Sequence, residues 1–259
     1  MTHAVLDQSA PLAGSAVVGF LVLRQDPDTR EYAVVGRLYR EDDQYVFRYA
    51  PRVSADPTEA PLPGFPDLRQ IYRSHALFAT FSNRVMTPRR DSYQDYLGLL
   101  GLQGGEPEPF EVLARTWGTR TTDRIQVLPI PRIGPGGHLQ TRFLVHGGGH
   151  VDPDGLALSR VRVGDELQLR HEPENSVDAN AVLVLRMGEE GRLGYIPRPL
   201  APFIHALWRA HVEPVVIAEH INPPGARLVS NQMRLLARLD AHVPDGFAVE
   251  AALGQDVAQ

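Results

Sequence analysis

Apolar residues in this chain come in short runs bounded by turn-forming residues, the pattern of a protein built from many small strands. Ala16–Leu23 (AVVGFLVL) is an uninterrupted run of strand length, closed by the turn-rich Gln25–Thr29. Tyr32–Tyr39 and Tyr45–Tyr49 predict two more strands, parted by the acidic turn Glu41-Asp42-Asp43, so the chain opens as a small antiparallel meander. Pro57, Pro61, Pro63 and Pro66 then forbid regular structure, because proline lacks an amide hydrogen and fixes its own φ. Helical spacing returns at Tyr72, Leu77, Phe78 and Phe81. Thr87-Pro88 reads as a helix start that carries Tyr93, Tyr96, Leu97 and Leu100 on one face, with Gly101 as the stop. Pro109–Trp117 predicts another short helix and Arg124–Leu128 a strand.

Pro129–Gly137, with three prolines and three glycines, marks a boundary. Beyond it Thr141–His146, Glu166–His171, Ala181–Arg186, Arg192–Ile196, Val215–His220 and Arg234–Leu239 read as strands. Between them Pro199–His211 is amphipathic, turning Leu200, Phe203, Ile204 and Leu207 to one side. The pattern predicts an α+β chain of two small domains. Residues 1–135 form a β-meander with helices, 139–240 a barrel or sandwich crossed by one helix, and 241–259 a tail.

Composition narrows what such a chain does. Hydrophobic residues make up 43% of 259, enough for packed cores, and Gly and Pro are both abundant at 23 and 22. No cysteine is present, which excludes disulfides, cysteine metal sites and thiol nucleophiles. All 26 basic residues are arginine and the net charge is −5. Up to Pro135 there are 15 arginines against 16 acids, and after it 11 against 15. Neither half has the basic excess needed to coat duplex DNA, so a nucleic-acid contact here must be local: an end, a flipped base or a few nucleotides. Met1 to Ala16 lacks the basic start and apolar core of a signal peptide, and no stretch approaches the roughly 18 apolar residues of a membrane span. A soluble, cytoplasmic protein with no membrane contact is expected.

Catalytic and cofactor motifs do not occur. There is no GxxxxGK[ST], no strand–GxGxxG–helix unit and no GxSxG elbow, so no enzyme activity, cofactor or metal is expected. His146–His150 (HGGGH) has the spacing of two metal-binding histidines on a helix, but three consecutive glycines are poor helix formers. A solvent-facing strand end is the simpler reading.

The informative stretch runs from Gly164 to Pro202. It contains Glu172-Pro173-Glu174-Asn175-Ser176-Val177-Asp178-Ala179-Asn180-Ala181, and then Gly194-Tyr195-Ile196-Pro197-Arg198. Asn and Asp at such positions can simply bond nearby backbone groups in a turn, and Asn180 fits that role. The two motifs, with Leu169 ahead of them, also resemble the HIRAN domain in order and spacing, over roughly Leu139 to Leu239. The resemblance implies an OB-like β-barrel that captures single-stranded DNA at its 3′-hydroxyl end. By it, Asn175 and Asp178 would bond the terminal sugar and base edge, Arg198 a phosphate, and Tyr195 or His150 would offer a flat face. Glu174 and Val177 depart from the polar and aromatic residues of the helicase members. Gly148-Gly149-His150 replaces their basic–aromatic pair. Stacking is worth about 1–3 kcal/mol per base, so these departures predict weaker binding.

Val35–Pro63 followed by Leu77–Arg90 resembles, through Gly36, Leu38, Phe47, Tyr49, Pro61, Leu62, Phe81, Asn83, Pro88 and Arg90, the N-terminal subdomain of HipA-family proteins. That resemblance implies a docking piece for a kinase or another protein partner, without kinase activity because the kinase body is missing. Phe81, Tyr93, Tyr96 and Trp117 read more simply as core, and Arg89-Arg90 as a solvated pair.

Overall fold

The computed structural model describes residues 19–102, 105–120, 123–188, 191–222 and 231–253. Met1 to Val18, which include the expected opening of the first strand, and the end of the tail beyond Leu253 lie outside the described residues.

Strands β1 (Gly19–Gln25), β2 (Tyr32–Glu41), β3 (Gln44–Tyr49), β4 (Tyr72–Ser74) and β5 (Ile125–Pro129) form an antiparallel sheet in the order β4-β3-β2-β1-β5. The opening meander is present as expected. In β1 the residues from Gly19 to Leu23 are all buried, which is why its sequence lacks polar alternation. Phe20 and Val22 enter one core, while Leu21 and Leu23 point into another. Four short helices follow the meander or interrupt it: α1 (Pro51–Ala55), α2 (Ala79–Ser82), α3 (Tyr93–Leu99) and α4 (Pro109–Thr116).

The helical spacing of Tyr72, Leu77, Phe78 and Phe81 is realised differently. Tyr72 pairs with Phe47 as part of β4, and only Ala79–Ser82 makes a helical turn. These aromatics converge in space on Phe65 and Phe47, with ring centroids 4.2–6.3 Å apart, so the apparent period reflects a shared core. Tyr49 holds the proline-rich segment: its hydroxyl donates to the Phe65 carbonyl at 2.8 Å and accepts from the Leu62 amide at 2.6 Å. Thr87 opens a turn and not a helix, its carbonyl accepting from the Arg90 amide at 3.2 Å; α3 begins at Tyr93. α4 ends as expected, on a left-handed Trp117 with φ 55°.

The second sheet has β6 (Arg132–Ile133), β7 (His138–Leu144), β8 (Glu166–His171), β9 (Val182–Arg186), β10 (Arg192–Tyr195), β11 (Val215–Ile221) and β12 (Leu235–His242). Their order is β10-β9-β8-β11-β12-β7-β6. The boundary segment is therefore partly ordered, since β6 pairs with β7. The expected OB-like barrel is not closed. The chain just past β7 meets β10 through the isolated bridge His146–Tyr195, and Gly147 then turns it into the one-turn helix α5 (Gly148–Val151). That turn also corrects the reading of HGGGH as a strand end. The amphipathic helix is α6 (Ala201–Arg209), with Phe203, Ile204 and Leu207 fully buried. A last turn, α7 (Val249–Ala252), lies in the expected tail and buries Val249.

Apolar clusters cross the boundary between the halves. Leu21, Leu23, Trp117 and Leu128 join the core formed by β7–β12 and α6. Tyr93, Tyr96, Leu97, Leu100 and Val112 pack with Leu144, Met233 and Leu236. Around this apolar contact Arg115 on α4 meets Glu219 on β11 at 3.4 Å, and Arg142 on β7 reaches the same carboxylate at 2.7 Å.

Candidate nucleic-acid interface

The turn between β8 and β9 is built from its own side chains. The Glu172 amide donates to the Ala181 carbonyl at 2.9 Å and closes the loop. Asn175 Oδ1 accepts from the amides of Val177 (3.0 Å) and Asp178 (3.2 Å), and Asp178 Oδ1 accepts from the Asn180 amide (2.9 Å). Two imidazoles clasp the far side: His171 Nε2 lies 2.8 Å from the Ala179 carbonyl and His205 Nε2 3.0 Å from that of Asn180.

Glu172 is the hub that joins this turn to β10. Its Oε2 accepts from Asn175 Nδ2 and from the Tyr195 hydroxyl, both at 2.8 Å, while Oε1 pairs with Arg192. The Asn175 hydrogen bond, then those of Tyr195 and the charge of Arg192, hold the Glu172 carboxyl below its usual range. Burial, followed by the hydrogen bond to Glu172, pushes the Tyr195 hydroxyl up. Gly194 makes this junction possible. At φ +142°, a Cβ there would lie within 2.6 Å of Val145 Cγ1 and run into the His146 carbonyl.

Asp178 and Arg198 form the other half of the site. Arg198 Nε lies 3.1 Å from Asp178 Oδ2, with a third of the arginine side chain still exposed. Arg198 Nη1 donates to the Arg30 carbonyl at 3.0 Å, a contact that comes from the first half of the chain. Among the described residues, Asp178 uses one acceptor site on each oxygen and keeps the remainder, and Arg198 keeps both Nη2 hydrogens and one on Nη1.

Four of the five expected residues thus fall together: Asn175, Asp178, Tyr195 and Arg198. Asn175 is engaged on both its oxygen and its nitrogen, so within this arrangement it shapes the turn. Val177, at the turn's tip, is exposed. His150 is exposed on α5 and makes no side-chain hydrogen bond with the group among the described residues. His146 meets Tyr195 through its backbone, which exchanges hydrogen bonds with it (3.0 and 2.8 Å), and its ring lies 6.4 Å from Trp117. Burial lowers its pKa to about 4. Glu172, Arg192 and Arg30 were not singled out as site residues. Glu172 had a signal in the Glu172-Pro173-Glu174-Asn175 run. Arg30 had none, because its contribution is a backbone carbonyl from a distant turn.

Turn, hub and glycine junction fall inside one stretch of known kind. Residues 141–236 match the HIRAN domain. Among solved structures, the HIRAN domain of human HLTF is 18% identical, covering 46% of this chain and 87% of its own, with a TM-score of 0.34. A protein from Lactobacillus plantarum is 24% identical over 39% of this chain and 89% of its own, with a TM-score of 0.31. No curated protein sequence matches the chain. The HIRAN match leaves the first half uncovered, and the comparisons give its HipA-like reading no support. Among the described residues, no helix is long and apolar enough to cross a membrane, and no group of three or more His, Asp or Glu is placed to hold a metal ion.

Proposed function

We propose that this protein binds single-stranded DNA at a 3′-hydroxyl end through its HIRAN domain, as a binding module that breaks no bond. The observation that carries the reading is the Asp178–Arg198 pair, an acceptor and a donor side by side, each with unused capacity. In this reading a terminal hydroxyl donates to the Asp178 carboxylate. The preceding phosphate accepts from Arg198 Nη2, and the Tyr195 ring, steadied by Glu172, borders the sugar or base. Asn175 keeps Asp178 in position. His150, exposed on α5, would meet the next nucleotide. With only one arginine aimed at the ligand and acidic Glu174 nearby, the contact spans one or two nucleotides, in keeping with the net charge of −5. The departures at Glu174, Val177 and Gly149 make binding weaker than a full set of stacking platforms would allow.

Fluorescence anisotropy at low salt, with short oligonucleotides ending in 3′-hydroxyl or 3′-phosphate, tests the reading. A terminal phosphate brings about two negative charges against Asp178, so the hydroxyl end should bind roughly tenfold or more tightly. Asp178→Ala should remove that preference. Equal binding of both ends by the wild type would sink end capture, and no binding of either would sink the nucleic-acid reading as a whole.

A further inference from the structure

One turn of the first half reaches the HIRAN domain beside Arg198. Between β1 and β2, Asp26 Oδ1 accepts from the amides of Asp28 and Thr29, both at 2.8 Å, and the Asp26 carbonyl accepts from the Arg30 amide at 3.1 Å. Arg30 is left-handed at φ 61°, which turns the chain into Tyr32. The Arg30 carbonyl takes two donors, Gln25 Nε2 and Arg198 Nη1, each at 3.0 Å. The turn is firmly seated. Tyr32 and Val34 pack against the core of the second half, and Leu21, Leu23 and Leu128 are buried in it. Moving the turn would draw that apolar surface into water.

We infer that the β1–β2 turn is a working part of the nucleic-acid site, acting as a strut that positions Arg198. The inference rests on the reading of Arg198 as the phosphate contact and deepens it. Asp178 fixes Nε and the Arg30 carbonyl fixes Nη1, so two of the three guanidinium nitrogens are held before ligand arrives. Nη2 keeps both of its hydrogens among the described residues, and these are left to meet a phosphate oxygen. An arginine so held gives up little rotamer freedom on binding, and its planar fork keeps the third nitrogen in a set direction. Arg30 and Asp26 are positioning residues: neither needs to touch the ligand. The first half is thereby a component of the site, and the second half alone presents Arg198 with only one of its two anchors.

The test uses the full chain and a 5′-labelled single-stranded oligonucleotide with a 3′-hydroxyl. Asp26→Ala removes the two side-chain bonds that shape the turn, while Asp26→Asn keeps the accepting oxygen. Both remove the same charge, so a difference between them reads turn geometry and not electrostatics. Asp26→Ala should weaken binding roughly 3- to 10-fold and Asp26→Asn should restore it. In an Arg198→Ala background Asp26→Ala should change nothing further, which a general loss of structure would not reproduce. In the free protein, the side-chain Nε–H signal of Arg198 by NMR should shift in Asp26→Ala and stay in place in Asp26→Asn. If the wild type binds and Asp178→Ala abolishes binding, but Asp26→Ala binds as tightly as wild type, the strut is wrong and the nucleic-acid reading stands. Full additivity of the Asp26 and Arg198 losses would overturn it equally. No binding by the wild type overturns the nucleic-acid reading and this inference with it; an unmoved Arg198 signal overturns the strut on its own.

Discussion

Gly194 decides how the site is assembled. Its φ of +142° lies where side chains are rarely tolerated, and the space a Cβ would need holds Val145 and the His146 carbonyl. Gly194→Ala should therefore cost about 3 kcal/mol in denaturant unfolding, strain and overlap acting together. It should also separate Tyr195 from Glu172 and reduce oligonucleotide binding more than stability alone explains. His146, one bridge away, carries a pH signature. Its folded pKa, about 4, lies below the ordinary histidine value of 6.5, so the unfolded chain binds the proton more readily. Stability is fully present above pH 6.5 and is lost as pH falls toward 4. Part of the residue surface is still reached by water, which limits the effect to on the order of 2 kcal/mol. Unfolding measured at pH 4.5 and 7 should show a smaller difference in His146→Gln than in wild type. An unchanged difference would show that the acid sensitivity comes from elsewhere.

Elements differ in how plainly they could be read. β8 was legible to the residue, as Glu166–His171, and α4 to its first residue and within one of its last, because propensity, proline placement and periodicity all agree there. The Tyr72–Phe81 stretch misled because aromatic residues from a strand, a loop and a helical turn fill one core and mimic a helical period. The Thr87-Pro88 start misled because a capping hydroxyl before proline serves a turn as well as a helix. The Gly147–Val151 turn runs against helix propensity, and tertiary contact decides it: Gly147 adopts φ +70° against the Tyr195 ring. α3 is only seven residues long, too short to hold itself together in water, and owes its existence to packing on the second sheet. Leu97, 1% exposed between Tyr93, Leu144 and Leu236, is its anchor. Leu97→Ala should destabilise the whole protein by about 2–5 kcal/mol in urea titration. A loss confined to local fraying of α3, read by hydrogen exchange, would show that α3 is peripheral.

At the scale of the whole molecule, the shared cores predict one cooperative unit. Leu21, Leu23, Trp117 and Leu128 belong to the core of the second half, so neither half can unfold without exposing the other's apolar surface. Calorimetry should give a single transition with matching van't Hoff and calorimetric enthalpies. Two separable transitions would mean that the contact between halves is weak. The amino-acid sequence by itself determined the opening meander, the strands of the second half and the amphipathic α6, while its resemblance to the HIRAN domain pointed to Asn175, Asp178, Tyr195 and Arg198. Each of these depends on neighbours along the chain or on a motif of fixed spacing. Tertiary structure alone decided that both faces of β1 are covered and that the second sheet stays open at a single bridge. It also decided that Glu172 ties the turn to β10 and that the Arg30 carbonyl holds Arg198. These contacts join residues far apart in the chain, often through backbone atoms that every residue possesses, and a sequence carries no local mark of them.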